Sequence, residues 1–346
     1  MYNWMTGLRD LLRGGTEVTP NVAFVRLSAG RSHRAQVAAP APMPRRHSLV
    51  SASSRSDRAQ GAELMPIAPT PIASEPMLRL DLFGPLRVYV GDEVAIGEHF
   101  TRRKAKALLA LLYLERGRYI PRDELIERLW PNLDDMPADS GRLKQTVLVL
   151  RRALEGASSR RTGWQYIVER GGTYYFNTQV AYECDLKDFE EELEQAYSDR
   201  QDGDAEAALA HFQRALALRR SELLPEFRYD DWASGHIAAE REQYLQALED
   251  AAQLHAAHGN HTRGIELLKR ATREDPLRES SVQQLMEWLS LKRDKAEALR
   301  AYTRLRDLLA SRLQLEPDPK TTALYHAIRR DRPVGDLNGP GLSAAS

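Results

Sequence analysis

From Asp185 to about residue 332 the sequence shows no strand alternation and instead repeats itself weakly at helical spacing. Aligning Gly203-Asp204-Ala205-Glu206-Ala207-Ala208-Leu209 with the segments Gly259 to Ile265 and Arg293 to Leu299 puts Leu209, Ile265 and Leu299 in register. The same alignment matches Ala215 with Ala271 and Leu305. The last interval, Ile265 to Leu299, is 34 residues, enough for two helices joined by a turn. One such pair cannot bury its apolar face alone, so neighbouring pairs must stack and leave a concave groove suited to a peptide or protein. The preceding interval is 56 residues, which predicts a lengthened helix, placed at Trp232 to His258.

Residues 77–180 follow another pattern. Leu78, Leu80 and Leu82 alternate, Gly84-Pro85 turns the chain, and Leu86, Val88 and Val90 resume the alternation before a second turn at Gly91-Asp92 and the pair Val94 and Ile96. A short antiparallel sheet is expected. Helical spacing then appears in Arg102 to Arg116, with Gly117 as a stop, and in Asp123 to Trp130, ended by Pro131. A third helix is expected from an N-cap at Asp139 or Ser140 through Leu154. Tyr166-Ile167-Val168 and Tyr174-Tyr175-Phe176 flank a glycine-bearing tip, which predicts a hairpin. The predicted fold class is mainly α with a small β component: a winged helix-turn-helix followed by an all-α, tetratricopeptide-like helical repeat domain.

Composition narrows the function. Residues 1–76 hold 8 of the 18 prolines and no useful period, so a disordered extension is expected, with Met77 an alternative start of translation. The domain expectation is 1–76 extension, 77–180 winged helix, 181–332 helical repeat and 333–346 flexible tail. The formal net charge of zero hides a net +4 over 1–76, +4 over 77–180 and −8 over 181–346, so an anionic partner is expected at the front of the chain. The longest apolar stretch, Ala107 to Leu114, is too short to span a bilayer, and no membrane association is expected. A single cysteine, Cys184, excludes a disulfide framework within one chain, and a cytoplasmic, nucleoid-associated location is expected. No cofactor, metal or catalytic group is expected: His255, His258 and His261 are interrupted by Gly259 and lack a completing ligand.

Helix three carries the functional expectation. At about 100° per residue, Leu143, Val147, Leu150 and Leu154 fall within about 60° and form the buried stripe. The opposite side presents Arg142, Gln145, Leu148, Val149 and Arg152 as base-reading candidates, because amide, guanidinium and aliphatic groups match the hydrogen-bonding and methyl pattern of the major groove. Taken alone, this face is equally compatible with an ordinary solvated helix. Cations on successive elements shift the balance: Arg102, Arg103, Lys104 and Lys106 opening helix one, Lys144 and Arg151 flanking helix three, and Arg170 at the hairpin tip are candidates for phosphate or minor-groove contact.

Residues 77 to about 331 resemble the SARP class of bacterial transcriptional activators, in which an OmpR-type winged helix precedes a bacterial transcriptional activator domain. The resemblance rests on Leu82-Phe83-Gly84-Pro85-Leu86, Arg103 to Leu112, Leu125 to Trp130 and Leu148 to Leu154 in the first part. In the second part it rests on Asp185 with Phe189, Asp275 to Glu279, Leu285-Met286 and Glu316-Pro317-Asp318. The resemblance implies a non-enzymatic, sequence-specific activator that binds double-stranded promoter DNA through helix three and the wing at 169–173. It also implies recruitment of RNA polymerase holoenzyme, through a loop bearing Asp134, Asp135 and Met136, and a homodimer on DNA. Two departures stand out: the long extension, and Thr173 between Gly172 and Tyr174, which leaves the wing register open. A rival expectation is a protein-interaction scaffold whose repeats are the active part and whose winged helix binds protein or RNA.

Overall fold

The computed structural model describes residues 78–97, 100–131, 141–156 and 164–332, all within one compact unit, Pro69–Ser346. The expected extension, the Asp134–Met136 loop and the C-terminal tail lie outside the described residues. β1 (Leu78–Asp81) and β2 (Arg87–Val90) pair antiparallel, with Leu78, Leu80, Leu82, Leu86 and Val88 buried as their alternation requires. β3 (Glu93–Ile96) pairs with β2 through a bulge at Val88/Tyr89. Val94 pairs in regular register with Tyr89 and is exposed, and the extra residue, Ala95, brings Ile96 opposite the buried Val88, so Ile96 is buried.

Three helices follow: α1 (Arg103–Leu114), α2 (Arg122–Leu129) and α3 (Arg142–Glu155). The N-cap of α3 is Gly141, later than the expected Asp139 or Ser140, and its carbonyl accepts the Gln145 N–H at 2.8 Å. β4 (Ile120–Pro121), β5 (Ile167–Arg170) and β6 (Thr173–Phe176) form a second sheet in the order β4-β6-β5. Arg170 pairs with Thr173, which settles the wing register: the hairpin closes through Gly171 and Gly172, both at positive φ as this two-residue turn demands. Tyr174 and Phe176 point into the core from alternate positions of β6.

The helical part comprises α4 (Asp185–Asp202), α5 (Ala205–Leu218), α6 (Asp231–Ala257), α7 (His261–Glu274), α8 (Glu279–Leu291), α9 (Lys295–Leu313) and α10 (Pro319–Arg329). They pack as the pairs α4/α5, α6/α7 and α8/α9, with α10 against α8 and α9. The 27-residue α6 is the lengthened helix expected from the irregular repeat interval. The aligned segments now have a physical meaning. Each begins with a residue in the left-handed region, Gly203 (φ 85°), Gly259 (φ 75°) or Arg293 (φ 63°), which ends one helix. The next residue, Asp204, Asn260 or Asp294, caps the following helix by accepting the N–H of Ala207, Arg263 or Glu297 at 3.0, 3.3 and 3.2 Å. Arg293 carries the Cβ cost that glycine avoids in the first two repeats. Arg293→Gly is expected to raise the unfolding free energy by roughly 0.5 kcal/mol, the left-handed penalty less the added chain entropy of the unfolded state. Urea denaturation reads this directly, and a loss instead of a gain would contradict it.

The two parts are joined by more than a linker. β7 (Tyr182–Cys184), a strand within the segment expected to be all helical, pairs parallel with β1 and completes a sheet of order β3-β2-β1-β7. Asp185 follows at once: one carboxylate oxygen accepts the N–H groups of Leu82 and Leu186, each at 2.8 Å, and the other accepts that of Phe83 at 2.9 Å. The segment before α6 adds backbone bonds, Gly84 N–H to Glu222 O and Leu224 N–H to Leu82 O, both 2.9 Å. Phe83 meets Phe189 edge-on at 5.4 Å, and Arg116 pairs with Glu190.

Glu115, at the end of α1, extends this junction. It binds Arg128 at 2.9 Å and Arg118 at 3.3 Å, and lies 3.6 Å from the His236 ring of α6. Hydrogen bonding from His236 first, then from Arg128 and Arg118, holds its carboxyl below the usual range against the opposing effect of burial. A depressed carboxyl contributes stability above the ordinary value of 4.5 and loses it as pH falls through the folded-state value. Glu115→Gln is therefore expected to cost about 1 to 3 kcal/mol at neutral pH and to flatten the acid limb of the stability profile, measured by denaturation across pH. An acid limb of unchanged slope would contradict it.

Candidate nucleic-acid interface

α3 is oriented by its apolar stripe. Leu143, Val147, Leu150 and Leu154 are buried, packed against α1 and in contact with β2 and β3. That packing turns Arg142, Lys144, Gln145 and Arg152 outward, all exposed. Leu148 is half-buried, and Val149 is half-buried and packs against the core, so it is more withdrawn than the helical wheel implied. Its angle on the helix turns Val149 outward, but the neighbouring core reaches it.

The wing is held beside this face. The Arg151 guanidinium Nε donates to the Ile167 carbonyl at 2.9 Å and lies over the Trp164 ring, and burial lowers its pKa. The Glu155 carboxylate accepts the N–H groups of Gln165 and Tyr166, each at 2.9 Å. At the tip, the Gly172 carbonyl accepts the Arg122 N–H at 3.1 Å, fixing the wing to the start of α2 and leaving Arg170 exposed. Arg151 was expected at a phosphate; its half-burial and its bond to β5 make it a strut between the helix and the wing instead. Tyr119 stacks obliquely on Tyr175 at 4.5 Å and is exposed beside the wing, a pair that residue spacing gave no reason to single out.

Three of the four cations opening α1 are also engaged internally. Arg103 binds Asp230 at 2.6 Å and the Glu226 carbonyl at 3.2 Å. Lys106 is buried and lies 3.9 Å from Glu226. Lys104 donates to the Leu129 carbonyl, sits over Trp130, and has its pKa lowered first by burial and then by Arg103. At the expected phosphate clamp, Arg102 and Arg103 are exposed, and Arg103, Lys104 and Lys106 fasten α1 to α2 and to the segment before α6. Trp130 is half-buried against the core, an anchor for the end of α2. Each of the three histidines has its own surroundings: His255 is buried, the His258 ring bonds the Leu254 carbonyl at 2.8 Å, and His261 lies edge-on to Trp288. Among the described residues no helix is long and apolar enough to cross a membrane.

Comparison with known proteins places this geometry. Residues 184–329 match the bacterial transcriptional activator domain. The chain is 29% identical over 266 residues to the transcriptional regulatory protein MoaR1 of Mycobacterium tuberculosis, covering 76% of this chain and 82% of that protein. It is 28% identical over 248 residues to the regulatory protein DnrI of Streptomyces peucetius, covering 70% and 90%. Among solved structures, Mycobacterium tuberculosis EmbR in complex with a low-affinity phosphopeptide superposes with a TM-score of 0.61 at 28% identity, over 75% of this chain and 66% of that one. The chain thus carries a bacterial transcriptional activator domain at residues 184–329, and over about three quarters of its length it is similar to transcriptional regulatory proteins.

Proposed function

We propose that this regulator binds duplex DNA in a sequence-specific manner, with the winged helix of residues 77–180 as the reading module and α3 in the major groove. The observation that carries the reading is the outward face of α3, where Arg142, Lys144, Gln145 and Arg152 stand exposed around Leu148, with Arg170 exposed on a wing fastened to the same helix. Amide and guanidinium groups so placed match base edges, and the wing cation suits phosphate or an adjacent minor groove. The family resemblance supports two further partners, RNA polymerase holoenzyme and a second copy of the chain on promoter DNA. Asp134, Asp135 and Met136 are the residues proposed to face the polymerase.

Selection of bound fragments from random duplexes by the full chain, followed by titration of the winning site at several salt concentrations, tests the reading. With Arg103, Lys104, Lys106 and Arg151 engaged internally, Arg102, Lys144 and Arg170 remain for phosphate, so log K should fall against log salt with a slope of about −3. Failure to enrich any motif would reject the proposal, and a slope near zero would reject the phosphate contacts.

A further inference from the structure

The helical domain is acidic overall, yet between α5, α6 and α7 it holds a cavity of about 710 Å³ with the opposite sign. Arg219, Arg220, Arg241, Arg270 and Arg273 line it against Glu222 and Glu274, an excess of three positive charges. The floor is ion-paired: Arg219 is buried and binds Glu240 and Glu274, each at 2.9 Å. Arg241 donates to the Glu274 carbonyl, and Glu222 pairs with Arg228.

The rim is different. Arg270 donates to the Leu216 carbonyl at 3.1 Å and Arg273 to the Lys269 carbonyl at 3.0 Å. Arg220 is exposed, and among the described residues none of these three has a carboxylate partner. Three guanidiniums drawn from a loop and a helix therefore line one cavity with no carboxylate paired to any of them among the described residues, the lining Glu222 and Glu274 being engaged with Arg228 and Arg219. Self-repulsion of this kind is stabilised by an anion, and planar guanidinium forks fit phosphoryl oxygens in pairs.

Size and lining narrow the occupant. The volume falls in the range of small-molecule sites and exceeds what a single phosphate fills. Tyr244, the one aromatic side chain in the lining, is buried between Arg219 (4.1 Å) and Arg270 (5.1 Å), so its ring is occupied and offers no platform for a base. We propose that this cleft binds a small ligand bearing two or more linked phosphoryl groups, held by Arg220, Arg270 and Arg273. Its rim includes Glu222, whose carbonyl accepts the Gly84 N–H, so an occupant touches the segment bonded to the first sheet.

Isothermal titration of the full chain with inorganic tripolyphosphate, pyrophosphate and phosphate provides the test. The expected result is saturable one-to-one binding that strengthens from phosphate to tripolyphosphate. The double variant Arg220→Gln with Arg273→Gln should weaken it at least tenfold at unchanged melting temperature, both residues being exposed, while Arg152→Ala leaves it intact. Replacing both by lysine should restore part of the loss. Absent or non-saturable binding, equal binding by the glutamine variant, or a loss of duplex DNA binding by that variant as large as that of Arg152→Ala would each overturn the proposal, the last by making the cleft part of the DNA surface.

Discussion

Asp185→Ala should lower the unfolding free energy by roughly 2 to 4 kcal/mol, a large fraction of the stability of a domain this size. The carboxylate accepts N–H groups from Leu82, Phe83 and Leu186, all three of which lose their acceptor on truncation. Burial pushes its carboxyl above the usual carboxylate range despite those three donors, so the site uses the acceptor oxygens more than the charge. Asp185→Asn keeps the oxygen shared by Leu82 and Leu186 but turns an amide against the Phe83 N–H, and should cost about half as much. Because Leu82 and Phe83 belong to the sheet of the winged helix while Asp185 opens α4, the wild-type chain should unfold in one transition followed by both tryptophan fluorescence and far-ultraviolet dichroism. Asp185→Ala should separate the two probes. Coincident transitions with a loss below about 1 kcal/mol would show that β1–β7 pairing alone joins the parts.

This junction marks the boundary of what the sequence made legible. The alternation of Leu78, Leu80 and Leu82 and the stripe Leu143, Val147, Leu150 and Leu154 are periodic signals, and the structure buries each of these residues. β7 has only Tyr182-Glu183-Cys184, too short for a period, and exists because β1 offers it an edge. The same limit explains the cations of α1. Their sign is plain in the sequence, but Arg103 meets Asp230, which lies 127 residues further along, and nothing local announces that pairing. Val94 and Ile96 are a smaller case, expected on one face and set on opposite faces by a bulge between them that turns Ile96 inward. The arginine cleft is the extreme one, since its rim draws Arg220 from a loop and Arg270 and Arg273 from α7, far apart in the chain. The repeat alignment worked because its turn chemistry is local: a left-handed residue followed by an Asx cap recurs with the period.

On its selected duplex, Gln145→Ala should lose roughly 1 to 3 kcal/mol of binding free energy while changing affinity for random DNA little, because a bidentate amide contact rewards one base and is absent elsewhere. Gln145 is exposed on a helix whose opposite side is fixed by four buried residues, so truncation removes the contact without moving the helix. Arg170→Ala removes a cation from a tip whose backbone remains closed by Gly171 and Gly172 and held by Arg122. It should weaken both duplexes by similar factors and make the salt slope shallower by about one. Arg151 supplies the contrast. Its bond to Ile167 joins α3 to the wing, so Arg151→Ala should weaken the selected site while leaving the salt slope near the wild-type value, a pattern unlike direct phosphate contact. Gel-shift titrations of the three variants on both duplexes at two salt concentrations separate these roles. Equal losses for Gln145→Ala and Arg170→Ala on both DNAs would mean that α3 contributes charge and shape to binding but reads no base.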